Sequence, residues 1–148
     1  MDSQLECPFC EIVRKSDPDA REIYRDDNIV AFFPTEPATL GHTLLVPRRH
    51  IEDIWALDSR TAEGLSRVSL KIASAIRRAV NPDGLNVIQS NGDAATQTVP
   101  HLHVHVVPRW RDDRFGRIWP PKTDYSDFDK DEAWGRLRWA VRNSGQDD

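Results

Sequence analysis

The sequence predicts an α+β fold: a mostly antiparallel five-stranded sheet carrying one long helix and a C-terminal helix. Three observations predict it. Short strand-like runs at 22–25, 29–33 and 43–47 follow one another, with hairpin-length links between the early ones. One long segment, from about 59 to 80, repeats apolar residues at spacings of three and four. Two more strand-like runs follow it, so the order is β-β-β-α-β-β rather than the alternation that builds a parallel sheet.

Each element has a local reason. Cys7 to Lys15 reads as a short helix or a metal knuckle, closed by Ser16-Asp17-Pro18-Asp19. Glu22-Ile23-Tyr24-Arg25 reads as a strand and Asp26-Asp27-Asn28 as a hairpin turn. Ile29 to Phe33 is apolar throughout, which predicts burial on both faces. Pro34 to Gly41 is a loop, and Thr43 to Pro47 is the third strand. Ser59 is the expected N-cap of the long helix, whose face carries Leu65, Val68, Ile72, Ile76 and Val80, with the small Ser69 among them. Asn81-Pro82-Asp83-Gly84 ends it. Leu85 to Gln89 is the fourth strand, 90–100 a long polar loop, and His101 to Arg109 the fifth strand. A last helix is expected over 131–142, with Trp134, Leu137 and Val141 along one side and Trp134 and Trp139 packing it onto the body or a partner.

Composition excludes several classes. The chain has 148 residues, the size of one domain, and a net charge of −4. A mildly acidic chain lacks the basic surface of a general nucleic-acid binder. The mean hydropathy is −0.61, and no apolar run approaches the roughly 20 residues that span a bilayer. The first six residues hold no apolar stretch, so no secretory signal is expected and the expected location is the cytoplasm. Two cysteines, Cys7 and Cys10, make no disulfide framework; a CxxC of this kind points to a metal or redox pair, or to a reduced packed pair.

The densest chemistry is His101-Leu102-His103-Val104-His105-Val106-Val107. Alternation along a strand puts the three histidines on one face and Leu102, Val104 and Val106 on the other. Three readings are open. The histidines are solvated; or they bind a metal, although residues ~6.6–7 Å apart along one strand do not converge on one ion without a ligand from elsewhere; or one is a nucleophile with two helpers, since neutral imidazole attacks and exchanges protons near neutral pH.

The stretch Gln97-Thr98-Val99-Pro100-His101-Leu102-His103-Val104-His105-Val106-Val107-Pro108-Arg109 resembles the histidine triad (HIT) family, in its branch of bacterial and dinucleoside-polyphosphate-hydrolase-like members. Gly41 to His50 resembles the family's second block and Cys7 to Val13 its N-terminal block, so the likeness runs over about 5–112. It implies a single HIT domain over 1–148, with 113–148 as a C-terminal extension. It also implies His103 as the nucleophile on the α-phosphate of a nucleotide conjugate, giving a nucleotidyl-histidine that water hydrolyses. His105 and His101 accompany it as catalytic residues, with His105 near the phosphate. Gln97 positions water or phosphate, and Thr98 and Asn91 contact phosphate, although all three also read as loop-capping or turn residues. A nucleotide-binding or adaptor module with little activity is the second reading. A zinc-centred triad enzyme is the third.

Some bacterial members hold zinc through residues matching Cys7, Cys10, His50 and His101, a closed set suited to a structural ion. The resemblance also implies a homodimer in which two sheets join and the long helix forms much of the interface. His42 reads simply as a strand-start histidine bonded to loop backbone. Two departures bear on the substrate: Pro34 stands where relatives carry a ribose-binding Asp or Asn, and Thr96 where glycine is common. Arg109, Arg111, Arg114 and Arg117, interleaved with Trp110, Phe115 and Trp119, either stack a base and neutralise phosphate or form a solvated face.

Overall fold

A computed structural model of the chain describes residues 7–15 and 19–145. The turn expected at 16–18 and the first six residues lie outside these. The described chain divides into two compact units, one ending at Phe115 and the other starting at Gly116.

The first unit is an antiparallel sheet of five strands in the order β1-β2-β3-β5-β4. These are β1 (Glu22–Arg25), β2 (Ile29–Phe32), β3 (Thr43–Pro47), β4 (Gly84–Gln89) and β5 (Val104–Arg109). The short helix α1 (Pro8–Arg14) and the long helix α2 (Ser59–Val80) complete the unit, with short 3-10 turns at Ile54–Ala56 and Asp93–Ala95.

Alternation sorts the strand side chains onto two cores. Ile29, Ala31, Leu45, Val104 and Val106 pack with Leu65, Val68, Ile72 and Ile76 of α2. Val30, Phe32, Leu44 and Val46 pack with Cys7, Phe9, Cys10 and Val13 around α1. The all-apolar β2 is therefore buried on both faces, as its composition requires. Gly41 enters β3 with φ +102°, and a Cβ there would stand 3.2 Å from the Pro108 ring, so the tight approach of loop and β5 needs glycine.

Several boundaries differ from expectation. The cap of α2 is Asp58, whose carboxylate accepts from the Thr61 amide at 2.9 Å; Ser59 is already helical. Val80, expected on the buried stripe, is 39% exposed. β5 begins at Val104, not His101, because the Leu102 amide donates to Ile51 O outside the sheet. Leu102 still enters the α2-side core, as alternation predicts.

In the second unit, α3 spans Asp127–Asn143 and so starts a turn earlier than its apolar residues suggest. Ser126 caps it: its hydroxyl accepts from the Asp129 amide at 3.1 Å and donates to the Asp129 carboxylate at 2.7 Å. Trp134, Leu137, Trp139 and Val141 are all exposed among the described residues.

β4 is an edge strand, and its Val87 is 55% exposed. No described helix is long and apolar enough to cross a membrane.

Candidate active site and metal centre

The three triad histidines have three different environments. His101 and His103 precede β5 and are buried; His105 sits within it, partly buried, opposite Leu44 of β3. His103 and His105 face each other edge to face at 4.9 Å between ring centres. His101 turns away into a separate cluster, so the three do not gather around one ion and the single tris-histidine metal site does not form.

His103 is oriented by main chain. Its Nδ1 lies 2.8 Å from His101 O. A carbonyl only accepts, so Nδ1 carries the proton and Nε2 keeps its lone pair. Burial holds the ring's pKa below 6.5 and therefore keeps it neutral. Phe9 of α1 packs edge to face against the same ring at 5.1 Å and against Phe32 at 5.6 Å.

A relay of hydrogen bonds sets the tautomer of His105. The Ala38 amide donates to His42 Nδ1 at 3.0 Å. His42 therefore carries its proton on Nε2, which donates to His105 Nδ1 at 2.9 Å. His105 in turn presents Nε2–H. Burial, with the neighbouring His103 and His42, lowers His105 to about 4. The expectation that His42 bonds loop backbone holds, but it missed the second contact. That contact depends on β3 lying beside β5 across 60 residues of chain, and no local sequence signal announces it.

The loop residues are engaged with protein. Gln97 donates from Nε2 to Glu52 O at 2.8 Å and to Val99 O at 3.1 Å, while its Oε1 accepts from the Gly92 amide at 2.8 Å. Asn91 Oδ1 accepts from the Ile54 amide at 2.7 Å, and the side chain exchanges two bonds with Gln89. Both amides thus tie the 90–100 loop to the segment around 52–54. Thr98 is exposed, and Pro34 is half-buried after β2. Thr96 has φ +67°, the left-handed region that disfavours a β-branched residue, which explains physically why glycine suits this position.

Arg109 is bound bidentately by Asp113 at 2.7 and 3.0 Å, donates to Asn86 at 2.8 Å and lies over the Phe115 ring at 4.3 Å. Arg117 and Trp119 belong to the second unit.

Cys7, Cys10, His50 and His101 converge so that all four ligand atoms lie within 4.8 Å of one another. His101 Nδ1 is 3.5 Å from both sulfurs, and His50 Nδ1 is 3.3 Å from Cys10 Sγ. Metal–sulfur and metal–nitrogen bonds of about 2.3 and 2.1 Å place tetrahedral ligands about 3.5 Å apart, so the separations fit. The donor chemistry fits too. His101 Nε2 donates to Pro47 O at 2.8 Å, which leaves Nδ1 unprotonated and aimed at the sulfurs. Burial and the adjacent Cys7 push the Cys10 thiol up to about 11, and a divalent cation reverses that penalty. Such an ion would hold three segments together as a closed structural site. Cys10 lies on α1 itself; its hold is aided by Arg25, which donates to Val13 O at 3.0 Å and Ile12 O at 3.3 Å at the helix C-terminus.

Comparison with known proteins agrees with this geometry. The HIT domain model matches residues 15–112. "Protein hit" of Bacillus subtilis is 38% identical over 119 residues, covering 80% of this chain and 81% of that one. Adenylylsulfatase HINT3 of Arabidopsis thaliana is 36% identical over 107 residues, covering 72% of this chain and 53% of that one. A zinc-bound histidine triad family protein from Mycobacterium smegmatis superposes with a TM-score of 0.71 at 35% identity, covering 93% of this chain and 99% of that one. With the family's model matching most of the first unit, and a buried His103 set by a main-chain bond, the chain belongs to the HIT domain family.

Proposed function

We propose that the protein is a nucleotidyl hydrolase or transferase that cleaves at the α-phosphate of a nucleotide conjugate through His103. The observation that carries this reading is the fixed tautomer of a buried, neutral His103 with a free Nε2 beside a protonated Nε2 of His105. His103 Nε2 attacks phosphorus, and the bond from phosphorus to the leaving oxygen or nitrogen breaks. His105 Nε2–H hydrogen-bonds a phosphate oxygen as negative charge builds there, and the leaving atom takes its proton from solvent. The positive charge gained by the His103 ring is offset at Nδ1–H by His101 O. Water then displaces His103 from phosphorus, releasing a nucleoside monophosphate. A relative named as an adenylylsulfatase supports a nucleotide α-phosphate as the point of attack. Dinucleoside polyphosphates and nucleoside phosphoramidates are the substrate classes we infer. Asn91, Gln97 and Thr98 are the candidate phosphate contacts, which requires the first two to exchange the protein bonds described above.

The Cys7, Cys10, His50 and His101 set would hold a structural zinc ion, and the chain would work as a homodimer in the cytoplasm. The zinc-bound neighbour and the open β4 edge support the first two of these.

The test is monophosphate release from a dinucleoside tetraphosphate and from a phosphoramidate. Release by the wild type and a loss of at least about a thousandfold in His103→Ala are expected, since the residue is the nucleophile. Tight nucleotide binding without release by the folded wild type favours the binding-module reading, for which Pro34 is the motivating residue.

A further inference from the structure

The Cys7, Cys10, His50 and His101 cluster and the candidate nucleophile share parts. His101 serves both: its Nδ1 faces the two sulfurs, and its carbonyl accepts from His103 Nδ1 at 2.8 Å. Phe9 touches both. It lies between the two cysteines on the first turn of α1, and its ring packs edge to face on His103 at 5.1 Å and on His101 at 5.9 Å. The ring of His103 thus rests against a residue that the cysteines flank.

Both cysteines are free, and the chain has no others. Cys7 is the N-cap of α1 and Cys10 its third residue. Residues three apart on a helical turn stand about 5–6 Å apart at Cβ, whereas a disulfide needs about 3.5–4.5 Å. Closing the pair draws the first turn in by about 1–2 Å, and Phe9 moves with it. The far end of α1 is fastened separately, by Arg25 to Val13 O and Ile12 O, so the turn tightens without releasing the helix. A misplacement of about 1 Å at a reacting group costs about a hundredfold in rate.

We propose that Cys7 and Cys10 form a thiol–disulfide switch that turns His103 off when a peroxide oxidises them. The peroxide reaches the cluster beside His50, which is half-buried and 3.3 Å from Cys10 Sγ. Metal ligation holds both sulfurs as thiolates, the form that attacks. Cys10 Sγ takes one peroxide oxygen as a sulfenic acid, and the other oxygen leaves as hydroxide. Cys7 Sγ then attacks the Cys10 sulfur, the S–S bond forms and a second hydroxide leaves. Two protons from solvent convert the hydroxides to water, so the two electrons lost by the sulfurs reside on the reduced peroxide. The disulfide leaves only His50 and His101 of the four donors, which breaks the closed set and releases the ion. The effect on turnover rests on the nucleotidyl reading above; the thiols, the metal and the ring of His103 report without it.

The test treats zinc-loaded, full-length protein with hydrogen peroxide and then removes the excess with catalase. Both thiols should disappear together, with a mass loss of about 2 Da rather than a gain of oxygen. Zinc should be released in step, read with a chromogenic chelator. Monophosphate release should fall about a hundredfold and return with dithiothreitol and zinc, while far-ultraviolet circular dichroism stays unchanged. The imidazole signals of His103 in a nuclear magnetic resonance spectrum, assigned by their loss in His103→Ala, should shift on oxidation. The double variant Cys7→Ser, Cys10→Ser should show the same turnover, whatever its level, before and after peroxide. The switch is overturned if the thiols persist, if the oxidised chain unfolds, or if the disulfide forms while turnover stays unchanged. A reduced wild type that releases no monophosphate sinks the nucleotidyl reading; the switch then stands if the His103 signals shift and falls if they do not.

Discussion

At the residue scale, tautomers decide the chemistry, and main-chain groups decide the tautomers. His101 O and the Ala38 amide fix which nitrogens of His103, His42 and His105 carry protons. The same burial that keeps these rings neutral sets a pH dependence. His42 and His105 are lowered by burial, His105 to about 4, whereas an unfolded histidine titrates near 6.5. The unfolded chain takes up protons first, so stability is full above pH 6.5 and is lost as pH falls from 6.5 towards 4. The melting temperature should be flat from pH 8 to 7 and fall below that, with a shallower fall in His105→Gln. A melting temperature that rises on acidification contradicts the buried, neutral pair. Thr96 gives a second prediction. Its left-handed conformation costs a β-branched residue about 1–2 kcal/mol, part of which glycine gives back in chain entropy. Thr96→Gly should raise the melting temperature by about 2–4 °C, and calorimetry reads it directly.

At the element scale, the sequence was most legible where periodicity acts alone. The all-apolar β2, the stripe on α2 from Leu65 to Ile76 and the Leu102, Val104 and Val106 side of the triad segment all lie where alternation and helical spacing put them. Boundaries were less legible, because side-chain bonds decide them: Asp58 rather than Ser59 caps α2, and the Ile51 carbonyl delays β5 to Val104. Least legible were contacts between elements distant in the chain. Tyr24-Arg25 reads as an ordinary strand, yet Arg25 reaches the last carbonyls of α1. Arg25→Ala should cost about 1–2 kcal/mol through those unpaired carbonyls and lower the melting temperature without changing β-sheet content by circular dichroism. An unchanged melting temperature would show α1 to be held by its apolar face and thiols alone.

At the scale of the whole molecule, the Cys7, Cys10, His50 and His101 cluster joins α1, the segment after β3 and the segment before β5. Metal bound there stabilises only the folded chain. A chelator should therefore lower the wild-type melting temperature, while Cys7→Ser should hold less zinc by elemental analysis and melt lower with little response to chelator. Equal zinc content in the two proteins removes the site. The sheet has a different exposure at its other end. The edge strand β4, Gly84-Leu85-Asn86-Val87-Ile88-Gln89, has neither a charged residue nor a proline to guard its open hydrogen-bonding edge. Six neutral residues rich in apolar side chains match the pattern of an amyloid-forming segment. Covering that edge is then a matter of proteostasis as well as assembly: a chain left without something to cap β4 would tend to be lost to precipitation.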